Sequence, residues 1–482
     1  MRNRFIGFTI LFPLALVPWV ALPAAEMPNI VVILADDLGW RDLRCTGSLW
    51  HDTPHLDRLA QQGTRFTQAY AAAPICSASR AALLTGRSPA RLGFEFVVKD
   101  SDSPLSERPL RPPPYPRELP LSETTIAEIL GPTGYATGFF GKWHLNQHHG
   151  QYLSWSKTHG PLQQGFAEGS PDFGSHTYGI KTRLQAAHES LPEGDYGRDT
   201  LTEKAITFLR AHRHTPFYLH LSHYYVHDPF GSQSPWLVKK YAARLPAGAD
   251  PQRAIYAAMV ETLDHLVGQV LQALDELGLA EKTLVVFTSD NGGHPQVAAN
   301  GPLRGSKWNL YEGGLRVPWI VRWPGRIRAG SVSDAAFSGI DLLPTLCQAT
   351  NTSLPAGLTL DGRNVLPLWT GDEVADPDRV FLFHFPYYHP EGPAFDKAIP
   401  RIGTDDLAIS QTRPQSALRI GPWKIIRLYE DNRDELYHLA ADPGENLDLA
   451  LREPSRLQLL RSRLETELSA ASARLPMPTA KP

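Results

Sequence analysis

The 482-residue chain has only three cysteines, Cys45, Cys76 and Cys347. An odd count allows one disulfide at most and leaves a thiol over, so disulfides are not what holds this fold. Charge of either sign is not in excess. The formal net charge of −3 gives no basic footprint, which disfavours nucleic acid as a partner and requires any polyanionic ligand to find a local basic pocket. Beyond the N-terminus, no apolar run is long enough to span a membrane. What is present is ordinary. With 42% hydrophobic and 20% charged residues, the chain can bury the core of one large domain and a smaller one.

The opening "MRNRFIGFTILFPLALVPWVALPAAEMPN" carries Arg2 and Arg4, then an apolar run, then small residues near Ala24 and Ala25. This is the layout of a secretory signal peptide over residues 1–25, and it predicts an exported, periplasmic or secreted protein. An uncleaved anchor is the alternative reading.

Four apolar segments each stop on a polar cluster. "NIVVILADD" ends on Asp36 and Asp37, "YATGFFGKWH" on Lys142 and His144, "PFYLHLSHYYVHDP" near His227, and "TLVVFTSDNGG" on Asp290 and Asn291. Continuous β-branched and aromatic runs of this length suit parallel strands covered on both faces. Helical patterns lie between them. One starts at Thr53–Pro54 and stops at Gly63; one has Ser122 as its expected N-cap; a long one ends at Gly278. Strands alternating with helices predict an α/β fold, a large mostly parallel sheet sandwiched by helices, over residues 26–365. Residues 366–482, with a hairpin expected at Gly421–Pro422 and a helix from Pro454, read as a smaller antiparallel α+β domain. Proline-rich 106–120 reads as a surface excursion, and 151–195, with little periodicity, as loops around the site mouth. In open α/β sheets ligands sit at the carboxyl ends of strands, where all four polar clusters fall.

Asp36, Asp37, Asp290 and Asn291 offer hard oxygen ligands for calcium or, less favoured, magnesium. Alone, each doublet also suits a turn or a cap. If a helix begins in "PICSASRAALLTGR", Cys76 sits at its N-terminus, where amides and the dipole favour an anion, and Arg80 lies one turn on. A half-buried cysteine beside a surface arginine is the plainer account of that motif by itself. "GKWHL" places Lys142 and His144 on one side of an extended segment, pairing a fixed charge with a proton-transfer group. "RGSKWNLYEGGLRVP" adds Lys307, and "YYVHDP" adds His227 before a proline turn. Together the inventory describes a site for a tetrahedral oxyanion ester, compensated by a metal and cations.

These motifs, in this order, resemble the formylglycine-dependent type I sulfatases of the alkaline phosphatase superfamily. The resemblance rests on "VVILADDLGW", "CSASRAALLTGR", "GKWHL", "VHDP", "SDNGG" and "RGSKWNLYEGGLRVP" across about residues 28–345, with "LRIGPWKII" also fitting. It implies that a maturation enzyme oxidises Cys76 to Cα-formylglycine, whose hydrate is the nucleophile. It further implies that Asp36, Asp37, Asp290 and Asn291, with the Cys76 position, hold calcium. Arg80 would stabilise the hydrated aldehyde, Lys142 and Lys307 would bind sulfate oxygens, His144 would take the proton of the second hydroxyl, and His227 with Lys307 would protonate the leaving alcohol. Two positions depart from the family pattern: Ala78 stands where proline is usual, and Asn146 where glycine is commoner. "GSLWHDTPHLDRLA" resembles the subset acting on sulfated carbohydrates. Trp155, Trp308, Tyr178 and His176 are then either sugar contacts or loop packing. Competing readings are a phosphonate or phosphate ester hydrolase with the same nucleophile, and a sulfated-glycan-binding protein never matured because of Ala78.

Overall fold

The computed structural model describes residues 27–99, 108–148, 152–180, 191–389 and 412–479; the leader expected at 1–25 lies outside them. Eight strands form the main sheet: β1 (Asn29–Ala35), β2 (Thr64–Phe66), β3 (Ala136–Gly141), β4 (Glu168–Ser170), β5 (Phe217–Ser222), β6 (Thr283–Ser289), β7 (Trp319–Arg322) and β8 (Ser331–Ser333). Their order is β8-β2-β7-β6-β1-β5-β3-β4. β7 runs antiparallel to both its neighbours, and the other pairings are parallel.

The central strand shows why its sequence is apolar throughout. Ile30, Val32 and Leu34 pack into one core, with α2 (Cys76–Thr85), α3 (Ile126–Leu130) and α6 (Leu342–Ala349). Val31, Ile33 and Ala35 pack into the other, with α1 (Pro54–Gln62), α4 (Thr200–Ala211) and α5 (Gln252–Glu276). Successive side chains alternate faces, so a strand covered on both sides must be apolar at every position. Each such side chain is worth about 1.5–3 kcal/mol of burial.

A second sheet of four antiparallel strands follows: β9 (Val380–Phe385), β10 (Gln415–Ile420), β11 (Trp423–Leu428) and β12 (Arg433–His438). The hairpin at Gly421–Pro422 joins β10 to β11 as expected. One face packs Phe383, Ala417 and Ile426 against Ile75, Ala78 and Trp308, the chain that leads into α2 and the chain beside Lys307. The other face covers itself with α7 (Pro454–Ala470) through Leu460, Leu464 and Leu468. The small sheet therefore braces the segments that carry the polar clusters.

Three expectations need correction. α3 is capped by Thr125, not Ser122: the Thr125 hydroxyl accepts from the Glu128 amide and Glu128 reaches back to the Thr125 amide, a reciprocal pair that outcompetes a lone upstream serine. The 151–195 stretch is not all loop, because β4 adds the edge strand of the main sheet there, too short to show a period. The proline-rich stretch is more than a surface excursion, since Leu119 is buried in the main core.

Candidate active site

The four polar clusters meet at the carboxyl ends of β1, β3, β5 and β6, which lie side by side in the sheet. Close backbone approach is what brings them together. Gly141 ends β3 at φ +102°, and a Cβ there would fall 1.9 Å from the Ser222 carbonyl oxygen, so only glycine turns the chain and delivers Lys142 beside β5. Gly292 plays the same part after β6, where a Cβ would lie 2.0 Å from the Gly313 carbonyl oxygen and the amide donates to Gly314. Three non-glycine residues at positive φ sit in or beside the cluster: Asp37 (61°), His144 (58°) and Trp308 (78°). Such conformations cost about 1–3 kcal/mol each and persist where the surroundings over-determine them.

Asp36 and Asp37 are fully buried. Lys142 Nζ lies 2.6 Å from Asp36 Oδ2, and Lys307 Nζ lies 2.6 Å from Asp37 Oδ2. Burial alone would raise both carboxyls, but Lys142 with His227 and Arg80 holds Asp36 below the usual range, and Lys307 with His227 and Lys142 does so for Asp37. Asp290 receives Arg80 through Nε and Nη2, each at 2.8 Å, and its other oxygen accepts the Asp37 amide. Arg80 also donates from Nη1 to the Lys142 carbonyl at 2.8 Å and to Ser222 Oγ. Burial works against its charge, and Asp290 and Asp36 outweigh it, so the guanidinium stays ionised.

Cys76 is the first residue of α2, with Ile75 in extended backbone before it. Its Sγ lies 3.5 Å from Asp36 Oδ1 and 3.8 Å from Asp37 Oδ1. Burial pushes the thiol well above its ordinary value, which favours the neutral S–H. Ala78 lies in the first turn of α2, where amides have no partner inside the helix, so the fold itself makes no demand for or against proline.

His144 donates from Nε2 to the Val98 carbonyl at 3.2 Å, since a carbonyl only accepts. Its buried Nδ1 has no protein partner and is left as a lone pair. Burial first, then Lys142, pulls this imidazole well below its ordinary value, which keeps it neutral. His227 is oriented the other way: Nδ1 faces the Asp228 carbonyl at 2.6 Å, leaving Nε2 to meet Lys307 Nζ at 3.1 Å. The Tyr178 hydroxyl is 3.1 Å from the same Nδ1, and His176 Nε2 contacts the His227 carbonyl at 2.9 Å.

The oxygens fit a hard divalent cation. Among the described residues, ligand atoms of Asp36, Asp37, Cys76 and His227 lie within 4.8 Å of one another. Asn291 is fully buried and its amide nitrogen reaches Asp37 Oδ1 at 2.8 Å, while Oδ1 has no partner. An orphaned buried amide oxygen beside paired carboxylates is a donor set that wants a cation. Nine of the ten residues expected to form the site are joined by hydrogen bonds or ion pairs, and His144 is tied in through its carbonyl, which accepts from Ser77 Oγ at 2.8 Å. His227 also falls among the clustered ligand atoms.

Of the aromatic residues proposed as sugar contacts, Trp155 packs on Phe139 and donates its indole N–H to the Gly141 carbonyl, a core role. Trp308 is buried between His294 and His389 with Lys307 over its ring. Tyr178 and His176 support His227. Sequence reasoning missed Asp42. It is buried and gathers the Gly39 amide at 2.7 Å, the Ala299 amide at 2.8 Å and the Tyr256 hydroxyl at 2.5 Å, joining the loop after β1 to the loop after β6. Its signal was the third acid of "DDLGWRD". The three cysteines are all unpaired.

Known proteins resemble this chain over most of its length. The sulfatase family model matches residues 28–352, and a model for the C-terminal part of N-sulphoglucosamine sulphohydrolase matches 306–404. Human arylsulfatase A is 33% identical, covering 93% of this chain and 90% of its own length. Mouse steryl-sulfatase is 34% identical over 77% of this chain and 69% of its own. The crystal structure of Ps i-CgsB in complex with k-i-k-neocarrahexaose superposes with a TM-score of 0.72 at 26% identity, covering 92% of this chain and 93% of that one. A phosphonate monoester hydrolase of Agrobacterium radiobacter shares the fold, with a TM-score of 0.61 at 20% identity. The chain belongs to the sulfatase family of the alkaline phosphatase superfamily and is a sulfuric ester hydrolase.

Proposed function

We propose that the protein hydrolyses sulfate esters on a carbohydrate, through a Cα-formylglycine made from Cys76 by a maturation enzyme. One observation carries the mechanism: the one thiol in the cluster is buried at a helix N-terminus, 3.5 Å from Asp36 and 3.8 Å from Asp37, among three carboxylates and three cations. A thiol so placed has no chemistry of its own, whereas a hydrated aldehyde there would supply a nucleophilic hydroxyl and a second hydroxyl for turnover. Asp36, Asp37, Asp290 and Asn291 would hold calcium, which would draw charge from the sulfate oxygens and lower the barrier to attack.

The chain's own residues divide the remaining work. Arg80, locked on Asp290, orients the hydroxyls at residue 76. Lys142 and Lys307 turn their ammonium groups to the sulfate oxygens. The free Nδ1 of neutral His144 accepts the proton of the second hydroxyl. Lys307 and His227 Nε2, already 3.1 Å apart, pass a proton to the departing alcohol. The protein is proposed to be exported after removal of residues 1–25; among the described residues no helix is long and apolar enough to cross a membrane.

The carbohydrate assignment draws support from the likeness to a structure holding a neocarrahexaose and from the "GSLWHDTPHLDRLA" segment. The test is turnover of matched sulfate and phosphate esters of one sugar, beside 4-nitrophenyl sulfate, before and after chelation. Sulfate release from the sugar, abolished by chelator and restored by calcium, is the expected result. Faster turnover of the phosphate ester would make the protein a phosphate ester hydrolase. Sugar binding without turnover would make it a glycan-binding protein.

A further inference from the structure

A cavity of about 750 Å³ opens beside the catalytic cluster, between the proline-rich segment, the end of β9 and the C-terminal residues. Two stretches of chain link it to the chemistry. Phe96 lines the cavity, and two residues on the Val98 carbonyl accepts from His144. Tyr387 also lines it, and two residues on His389 lies 4.1 Å from the Trp308 ring that sits beneath Lys307. His389 lines the cavity itself, so that wall reaches Lys307 through the single indole of Trp308.

Its walls are aromatic faces. Phe96 stacks on Tyr387 at 4.4 Å, Tyr115 meets Phe96 edge-on at 4.9 Å, and Tyr388 and Pro112–Pro114 complete them. The charged groups are of one sign: Arg111, Arg117 and Arg474 line the cavity, and among the described lining residues there is no carboxylate, amide or aliphatic hydroxyl. Arg474 is already held by Glu95 beneath the floor, and the exposed Arg111 is the group offered to a ligand. Burial first, then Lys307, Lys99, His294 and Arg108 nearby, holds the His389 imidazole down to about 3, so it stays neutral in that wall. A lining rich in donors and poor in acceptors suits a ring that brings its own acceptors, and aromatic faces suit the C–H face of a pyranose.

We infer that this pocket binds the ring next to the sulfated one and selects for an anionic substituent on it, a carboxylate or a second sulfate; this rests on the glycan reading of the active site. The substrate is then an acidic oligosaccharide, not an isolated sugar sulfate.

The experiment compares two disaccharide sulfate esters, one with a uronic acid as neighbour and one with a neutral hexose, with 4-nitrophenyl sulfate as a one-ring control. The wild type is expected to favour the uronate by about tenfold in kcat/KM, the worth of one charge-assisted hydrogen bond. Arg111→Gln, a surface change, should erase that preference through KM, Tyr115→Ala should weaken both disaccharides, and neither should alter the control. Equal rates for the two disaccharides in the wild type, or a preference that survives Arg111→Gln, would overturn the inference. A naphthyl sulfate that depends on Tyr115 more than the disaccharides do would make the pocket a seat for an apolar leaving group and overturn it as well. Turnover of the control without any sugar sulfate would defeat the glycan reading; NMR titration with a uronate disaccharide lacking the ester then judges the pocket alone, and binding independent of Arg111 would overturn it.

Discussion

The protein buries two clusters of charge, and they differ in what they leave unmet. At the seam between the sheets, Lys424 reaches Glu312 and Glu445, each at 2.8 Å, the Tyr70 hydroxyl and Arg316 take the other Glu312 oxygen, and the second Glu445 oxygen accepts the Glu312 amide at 2.6 Å. Each carboxylate there meets a cation, a hydroxyl or an amide from a neighbouring segment. In the candidate site three carboxylates also meet three cations, yet Asn291 Oδ1 and His144 Nδ1 are buried with neither a hydrogen bond nor an ion pair, whereas Glu445 Oε1 at the seam keeps Lys424. Buried charge by itself marks neither function nor structure. Orphaned acceptors beside paired charges mark the place where something else is meant to bind or react.

Breaking each cluster should therefore give different losses. The largest effect is expected from Cys76→Ala, which should lower kcat/KM by at least about 10⁴-fold while leaving the thermal unfolding transition near that of the wild type. Lys424→Met does the reverse. It strands Glu312 and Glu445, so denaturant unfolding should show a loss of about 3–5 kcal/mol, while kcat of the folded fraction stays at the wild-type value. Asp42→Asn touches no reacting atom but sets its NH2 against one of the Gly39 and Ala299 amides, so calcium titration should show affinity falling about 10- to 100-fold with little change in melting.

The seam also carries a pH effect. Burial pushes the Glu445 carboxyl up from 4.5 to about 7, against the pull of Lys424. Between those values the folded state holds the proton and the unfolded chain has lost it, so the stability Glu445 contributes below about pH 4.5 is lost as pH rises to about 7. The slope is at most about 1.4 kcal/mol per pH unit. Urea midpoints across that window should fall in the wild type and flatten in Glu445→Gln.

The comparison also explains what could be read from the chain alone. Part of the candidate site was legible because its residues end apolar strands, and parallel neighbours bring strand ends together: Asp36 after β1, Lys142 after β3, Asp290 after β6. The seam was not. Lys424 is the second residue of a strand, Glu445 lies in a turn and Glu312 in a single helical turn, and only the packing of one sheet on another brings them together. Asp42 escaped notice for a related reason. It acts through the backbone amides of two loops whose approach depends on the β1–β6 pairing. Thr125 displaced Ser122 as a cap because three residues of spacing to Glu128 close a reciprocal pair, a local rule that a lone serine masks.

The claim on which the rest depends is that residue 76 of the working enzyme is no longer cysteine. Mass analysis of the tryptic peptide Phe66–Arg80, from active protein made in its native host, tests it directly. The account predicts a peptide that has lost one sulfur and two hydrogens and gained one oxygen. An unmodified thiol in a fully active preparation would contradict it.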